Sequence, residues 1–113
     1  MITFAIPIRT HSKLNQRIHW GARAKQAKAE RTATWAAALP FAWDLRWGAN
    51  PAVVTLTRVS PRELDDDNLR GALKAVRDEV ARLLGVDDRD ARVQWRYGQE
   101  KGKPAVRVEV RDG

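Results

Sequence analysis

Residues 52–85 read AVVTLTRVSPRELDDDNLRGALKAVRDEVARLLG, and this stretch decides the fold. Its first eight residues, Ala52 to Val59, are mostly β-branched or apolar, which predicts a strand. After a loop at 60–63, apolar residues recur at helical spacing from about Asp67 to Leu84, and Gly85 suits the end of a helix. The apolar face of that helix comprises Leu69, Ala72, Leu73, Val76, Val80, Leu83 and Leu84.

The sequence before this stretch predicts one strand and one helix. Residues 2–7 are short and apolar, consistent with a strand that ends at Pro7. An alanine-rich segment predicts a helix from near Asn15 to about Leu39, where Pro40 stops it. Residues 40–51 show no clear element, although Gly48 to Pro51 has the composition of a turn.

After Gly85 the pattern becomes that of strands. Residues 93–97 alternate as a strand, Gln99 to Pro104 predict a hairpin turn, and Ala105 to Val110 alternate as a last strand. The element order is therefore β-α-β-α-β-β. It predicts a single domain over residues 1–113 with an α/β (α+β) fold, in which a mixed sheet is flanked by two main helices.

Five tryptophans stand out in so short a chain. Trp20 and Trp35 fall in the first predicted helix, and we expect both in the core. Strand or loop packing is the first expectation for the other aromatic residues, with stacking on unpaired bases as the alternative. Those residues are Trp43, Trp47, Trp95 and Tyr97.

The charge balance points to an anionic partner. The 113 residues carry a formal net charge of +7, with a pI near 10.6, which favours nucleic acid first and an acidic membrane surface second. No apolar run of about 18 residues and no signal peptide is visible, so we expect a cytoplasmic protein without a membrane segment. Without cysteine there is no disulfide framework and no thiolate zinc site.

The bases are concentrated near the start of the chain. Up to Arg31 there are seven of them against Glu30 alone, an imbalance more typical of a DNA-contacting face than of a plain solvated one. The predicted DNA-binding residues are Arg17, Arg23, Lys25, Lys28, Arg31 and Arg70.

The acids, in contrast, are concentrated late: nine of fourteen lie between Glu63 and Asp90. Helix capping and the helix dipole explain one or two of Asp65, Asp66 and Asp67. The alternative is a cation site, since oxygen-only ligands suit Mg²⁺ or Mn²⁺. Asp87-Asp88 taken alone favours a polar turn. If the intervening helix is straight, the two runs lie about 27 Å apart along its axis, so only folding back or a second subunit brings them together.

Lys74 has two interpretations of its own. It is either a solvated helix residue or a neighbour of the carboxylates, since Asp67, Gly71, Lys74 and Asp78 share one helix face. In the second case Asp78 pairs with Lys74 and holds it, and the ammonium stabilises charge on a phosphate.

The order of these motifs resembles the RusA-type Holliday junction resolvases, and in particular their phage- and prophage-associated branch. The resemblance rests on Asp65-Asp66-Asp67-Asn68-Leu69, an amphipathic helix, and Leu84-Gly85-Val86-Asp87-Asp88. The N-terminal Leu14-Asn15-Gln16-Arg17 and His19-Trp20 are also similar to that branch.

The resemblance implies a homodimeric, Mg²⁺-dependent endonuclease that nicks branched DNA such as a four-way junction. It carries the catalytic, metal-binding carboxylates onto Asp65, Asp67 and Asp88, with Asp66 and Asp87 in supporting positions. One departure concerns a functional lysine of the family, whose position here is Gly71. Lys74 is the nearest replacement.

Two further hypotheses compete with the resolvase. One is a non-catalytic basic DNA-binding protein in which the aspartates are only caps and turns. The other is a basic partner subunit that needs another chain.

Overall fold

The structure, a computed structural model, describes residues 1–10, 20–48, 52–87 and 89–112. Four strands form one mixed sheet in the order β1-β4-β2-β3. They are β1 (Ile2–Ile6), β2 (Ala52–Val59), β3 (Val93–Glu100) and β4 (Ala105–Asp112). The helices are α1 (Trp20–Ala38), α2 (Ala42–Gly48), α3 (Asp66–Ala72) and α4 (Lys74–Leu84), with a 3₁₀ turn at Leu39–Phe41. The mixed α/β fold predicted from the sequence is confirmed.

All the helices contribute to a core on one face of the sheet. Alternate strand residues such as Phe4, Leu56 and Val108 point to that face, where they pack with helix residues such as Leu45 and Val76. The predicted apolar face from Leu69 to Leu84 is buried throughout. The described residues therefore form two layers, and the other face of the sheet carries mainly polar and charged side chains, such as Arg96, Arg107 and Glu109, together with Val53 and Val59.

The connection between β3 and β4 differs from the prediction. β3 runs parallel to β2, and β4 runs antiparallel along the other side of β2. The residues 101–104 thus cross over the end of β2, where the Gly102 N–H donates to the Ser60 carbonyl at 3.3 Å. The prediction of a hairpin between β3 and β4 is wrong, because β2 lies between these two strands in the sheet.

Helical structure continues past the predicted stop at Pro40. α1 ends at Ala38, and Pro40 lies at the start of the 3₁₀ turn, where a missing N–H is tolerated. α2 then fills a segment that the sequence left unassigned. The predicted beginning of the first helix near Asn15 lies outside the described residues.

The tryptophan expectations are wrong where they concern the helices. Trp20 and Trp35 are 76% and 43% exposed, and Trp43 and Trp47 are exposed as well. The reason in α1 is that its buried positions are Glu30, Thr34 and Ala38, a stripe with little apolar character. Trp95 and Tyr97, in β3, do pack partly against the core.

The helix predicted from Asp67 to Leu84 is interrupted at Leu73, whose ψ of 3° separates α3 from α4. The predicted end is confirmed: Gly85 adopts a φ of 76°, and Val86 N–H bonds back to the Ala81 carbonyl at 3.0 Å. That geometry closes a helix with glycine in the left-handed conformation. None of the helices in the described ranges is long and apolar enough to cross a membrane.

Candidate functional site

The acidic turn, Asp65–Asp67, lies where the chain leaves β2 and enters α3. Asp65 is the N-cap of α3, with extended backbone, and its Oδ1 accepts from Asn68 N at 2.9 Å and from Asn68 Nδ2 at 2.7 Å. Capping therefore accounts for one oxygen of Asp65. It does not account for the rest of the run.

Asp66 and Asp67 are exposed in the first turn of α3. No hydrogen bond or ion pair joins either carboxylate to another residue of the described ranges. The helix dipole favours a negative charge at this end, but two adjacent charges also repel each other. The described lysines and arginines therefore provide no partner for these two carboxylates, which are available to a cation.

The turn is held firmly at its N-terminal side. Leu64 N donates to Gln99 Oε1 at 2.9 Å, and Gln99 Nε2 donates back to the Leu64 carbonyl at 2.7 Å. Two residues earlier, Arg58 Nη1 donates to the Arg62 carbonyl at 2.7 Å. These bonds fasten the turn to the ends of β2 and β3, so the carboxylates project from a fixed backbone.

A basic pocket opens one helical turn beyond Asp67. It has a volume of about 400 Å³ and is lined by Arg70, Gly71, Lys74, Arg77, Arg89 and Tyr97. Four positive side chains around one cavity give it a positive potential, which attracts anionic groups such as phosphates. No carboxylate lines it within the described residues.

Aromatic side chains from β3 order two of these bases. Arg77 Nη1 donates to the Tyr97 hydroxyl at 2.8 Å, and the Arg77 guanidinium lies 4.7 Å from the Trp95 ring centroid. Arg70 lies 5.6 Å from the Tyr97 ring. Such cation–π contacts hold a guanidinium without neutralising it, so the pocket keeps its charge.

Lys74 makes the contact that its spacing predicts. Its Nζ lies 3.4 Å from Asp78 Oδ2, and the lysine side chain is largely exposed. A pair of this kind contributes only a few tenths of a kcal/mol. Its effect is to position the ammonium at the wall of the basic pocket.

The second acidic turn, Asp87–Asp90, follows α4. Asp87 Oδ1 accepts from Arg89 N at 2.9 Å, and Asp90 accepts from Arg92 N at 2.9 Å and Arg92 Nη2 at 2.7 Å. The Arg92 hydrogen bond lowers the pKa of Asp90 to about 2. Asp88 lies outside the described residues. The prediction that Asp88 comes together with Asp65 and Asp67 therefore stays a prediction. Within the described ranges, no three acidic or histidine side chains are grouped to hold a metal ion.

The donors that are described fit a hard cation. Asp65 and Asp67 offer carboxylate oxygens, the ligand type that Mg²⁺ and Mn²⁺ prefer. Mg²⁺ keeps several waters and commonly takes only one or two protein carboxylates, so two donors on one turn are chemically sufficient to begin a site.

The α1 bases lie apart from the acidic turn. Arg23, Lys25, Lys28 and Arg31 are all exposed, and Arg17 is outside the described residues. Lys28 and Arg31 line a separate cavity together with Arg82 of α4. Arg82 lies eight residues after Lys74, which is about 12 Å along the helix axis. The structure brings Arg70 and Lys74 to the basic pocket and leaves the α1 bases on another surface.

Two residues of the basic pocket, Arg77 and Arg89, were not among the DNA-contacting residues predicted from the sequence, and Tyr97 was expected to pack in its strand or to stack on unpaired bases. A signal was present for the first, because 70, 74 and 77 are spaced by four and three residues and share a helix face. Arg89 and Tyr97 arrive through the packing of β3 beside α4, for which local spacing offers no cue.

No protein-family model matches this chain, and no curated protein or solved structure is significantly similar to it.

Proposed function

We propose that this chain is a metal-dependent, structure-selective endodeoxyribonuclease of the RusA type, which resolves four-way junctions and related branched DNA. One observation carries the proposal: unpaired carboxylates on the fixed acidic turn lie one helical turn from a pocket walled by four bases. A phosphodiester cut by metal catalysis needs both features side by side, since the ion binds to carboxylates and the backbone phosphates bind to bases.

The roles of the residues follow from this arrangement. Asp65, Asp67 and Asp88 would hold one or two Mg²⁺ ions, and Asp66 and Asp87 would support these ligands from neighbouring positions in the sequence. When bound, such ions supply an activated water and stabilise the leaving oxygen of a phosphodiester. The expected products are a 5′-phosphate and a 3′-hydroxyl.

The bases orient the DNA. Arg70, Arg77 and Arg89 hold backbone phosphates next to the acidic turn, and Lys74 takes the place of the family lysine that is missing at Gly71. Asp78 positions Lys74 through the 3.4 Å contact. Recognition then depends on shape and phosphate geometry, because no base-reading module is evident in the sequence.

A symmetric homodimer completes the proposal. Two symmetry-related sites suit the two opposed strands of a four-way junction. The setting is the cytoplasm of a bacterial or phage-infected cell, in DNA recombination or repair. Sedimentation of the purified chain at twice the mass of one chain supports the dimer, whereas a monomer on and off junction DNA argues against it.

The decisive test is a nicking assay on a synthetic four-way junction, with a linear duplex of the same sequence as control. We expect cleavage of the junction with Mg²⁺ or Mn²⁺, none in EDTA, and much slower cleavage of the duplex. Absence of cleavage on every branched substrate, with either ion, rules the enzyme out.

A second candidate has an observation of its own. Asp65 does cap α3, and Asp87 does bond to the backbone of its turn, as a non-catalytic DNA-binding protein would require. That protein binds junction or duplex DNA equally in Mg²⁺ and EDTA and cuts neither. The nicking assay therefore separates the two functions.

A further inference from the structure

A second cavity shares no described lining residue with the basic pocket and includes Leu64, the residue before the acidic turn. It has a volume of about 280 Å³ and is lined by Arg9, Thr10, Arg58, Ser60, Pro61, Arg62 and Leu64. We call it the Arg58 cavity. Of the described lining residues, three are arginines and none is acidic.

Arg58 is the unusual member, since only 6% of its surface is exposed. Its Nε donates to Thr10 Oγ1 at 3.0 Å, its Nη2 to the Thr10 carbonyl at 3.3 Å, and its Nη1 to the Arg62 carbonyl. All three acceptors are neutral. Burial lowers the pKa of Arg58, but a guanidinium in a protein stays charged.

A buried charge with only neutral partners is unfavourable unless a counter-ion compensates it. The described residues place no carboxylate in an ion pair with Arg9, Arg58 or Arg62. In the sequence, residues 11–19, which lie outside the described ranges, contain no Asp or Glu. Among the described residues nothing supplies the compensating charge, and an anion bound in the cavity would supply it.

The cavity has the donors that a phosphate needs. Arg58 uses three of its five N–H donors on the protein, which leaves two for a ligand. Thr10 Oγ1 accepts from Arg58, so its own hydroxyl proton remains to donate. The volume far exceeds the roughly 15 Å³ that one water requires, and guanidinium groups pair with phosphate oxygens through two parallel bonds.

We propose that the Arg58 cavity is a phosphate-binding site, in which Arg9, Arg58 and Arg62 surround one phosphate group. The phosphate belongs either to inorganic phosphate or to a nucleic acid, as a terminal group or as part of the backbone. Because Leu64 lines the cavity and Asp65 follows it, a bound nucleic acid would be fixed directly beside the acidic turn. The site does not depend on the proposed cleavage.

The first test uses inorganic phosphate in EDTA, so that neither metal nor cleavage enters. We expect phosphate to raise the melting temperature of the protein relative to acetate at the same ionic strength and pH. Arg62→Gln and Arg9→Gln remove a guanidinium and leave the carbonyl that Arg58 needs at residue 62. Either variant should weaken phosphate binding about tenfold in a calorimetric titration.

Arg111→Gln is the matched control, because Arg111 is exposed on the last strand and lies outside this cavity. It makes the same change in net charge and should bind phosphate as the unmodified protein does. Equal loss in all three variants, or no difference between phosphate and acetate, overturns the proposal.

The source of the phosphate is settled by oligonucleotides in the same buffer. A short strand with a 5′-phosphate that binds more tightly than its 5′-hydroxyl counterpart, through Arg62, identifies a terminal phosphate. Equal binding of the two that falls about tenfold in Arg62→Gln identifies a backbone phosphate. If Arg62→Gln binds both strands and inorganic phosphate as tightly as the unmodified protein does, the proposed phosphate site is contradicted.

Discussion

The two acidic turns at the ends of the α3–α4 pair look alike in sequence and differ in the structure. In the second turn the Asp87 carboxylate accepts a hydrogen bond from the Arg89 backbone N–H. The Asp90 carboxylate accepts from both the backbone N–H and the guanidinium of Arg92. In the first turn only Asp65 is engaged, by Asn68. The carboxylates of Asp66 and Asp67 project without a partner from the described residues.

The two turns differ because of the residue that lies two positions after each aspartate in the sequence. Asp90 is followed at that distance by an arginine, which closes a local turn and pairs with the carboxylate. After Asp65, Asp66 and Asp67 the next base is Arg70, and it turns toward Tyr97. Charge density alone therefore does not separate structural carboxylates from available ones.

The largest effect is expected when that availability is removed. Asp67→Asn keeps the shape of the first turn and takes away a cation ligand, so junction cleavage should fall about 100-fold or more. Asp90→Asn is the matched change in the second turn and should leave the rate within about twofold. Single-turnover nicking in Mg²⁺ measures both, and equal rates for the two variants would erase the distinction between the turns.

A smaller effect should separate the two arginines of the second turn. Arg89 lines the basic pocket, whereas Arg92 is bound to Asp90. Arg89→Gln should weaken junction binding severalfold and reduce the salt dependence of log K by about one. Arg92→Gln should change neither quantity, which titrations of labelled junction in EDTA at several salt concentrations can check.

The cap at Asp65 offers a test of stability. Asp65→Ala loses the bonds to Asn68 and should lower the free energy of unfolding by about 1 kcal/mol. Asp65→Ser can still cap α3 and should cost only a few tenths. Urea unfolding of both variants gives the values, and a loss in Ser as large as in Ala would mean that the cap is not the reason.

The smallest effect is confined to acid. The pKa of Asp90 is about 2 in the folded chain and about 3.9 in an unfolded one. The stability that this pair contributes is thus fully present above pH 4 and is lost as the pH falls toward 2. Arg92→Gln should flatten that part of the curve of unfolding midpoint against pH, and a curve unchanged from the unmodified protein would contradict the pairing.

Local pattern was enough for some parts of the fold. β2 spans Ala52–Val59 as predicted, since a β-branched run between turn residues has few other conformations. The end at Gly85 was predictable because only glycine readily takes its positive φ. The acidic turn was predictable as the start of a helix. Helix capping, which Asp65 performs, was one of the two interpretations left open for this run, and a cation site was the other.

Other parts depended on contacts that no local pattern records. The sequence of a short turn such as residues 101–104 is the same whether the two strands that it connects pair with each other or lie on either side of β2. The apolar periodicity that finds a helix face fails in α1, where Glu30 and Thr34 are buried and Trp35 is not. The basic pocket needed Arg89 and Tyr97, which reach Arg70 only through tertiary packing.

The position of β4 has a consequence for how the chain folds. β4 pairs with β1 on one side and with β2 on the other, yet it follows every other element in the chain. Among the described strands, β1 therefore has no partner in the sheet until β4 has been synthesised. Contacts of such long sequence separation slow folding, and during synthesis β1 stays outside the sheet until β4 has emerged from the ribosome.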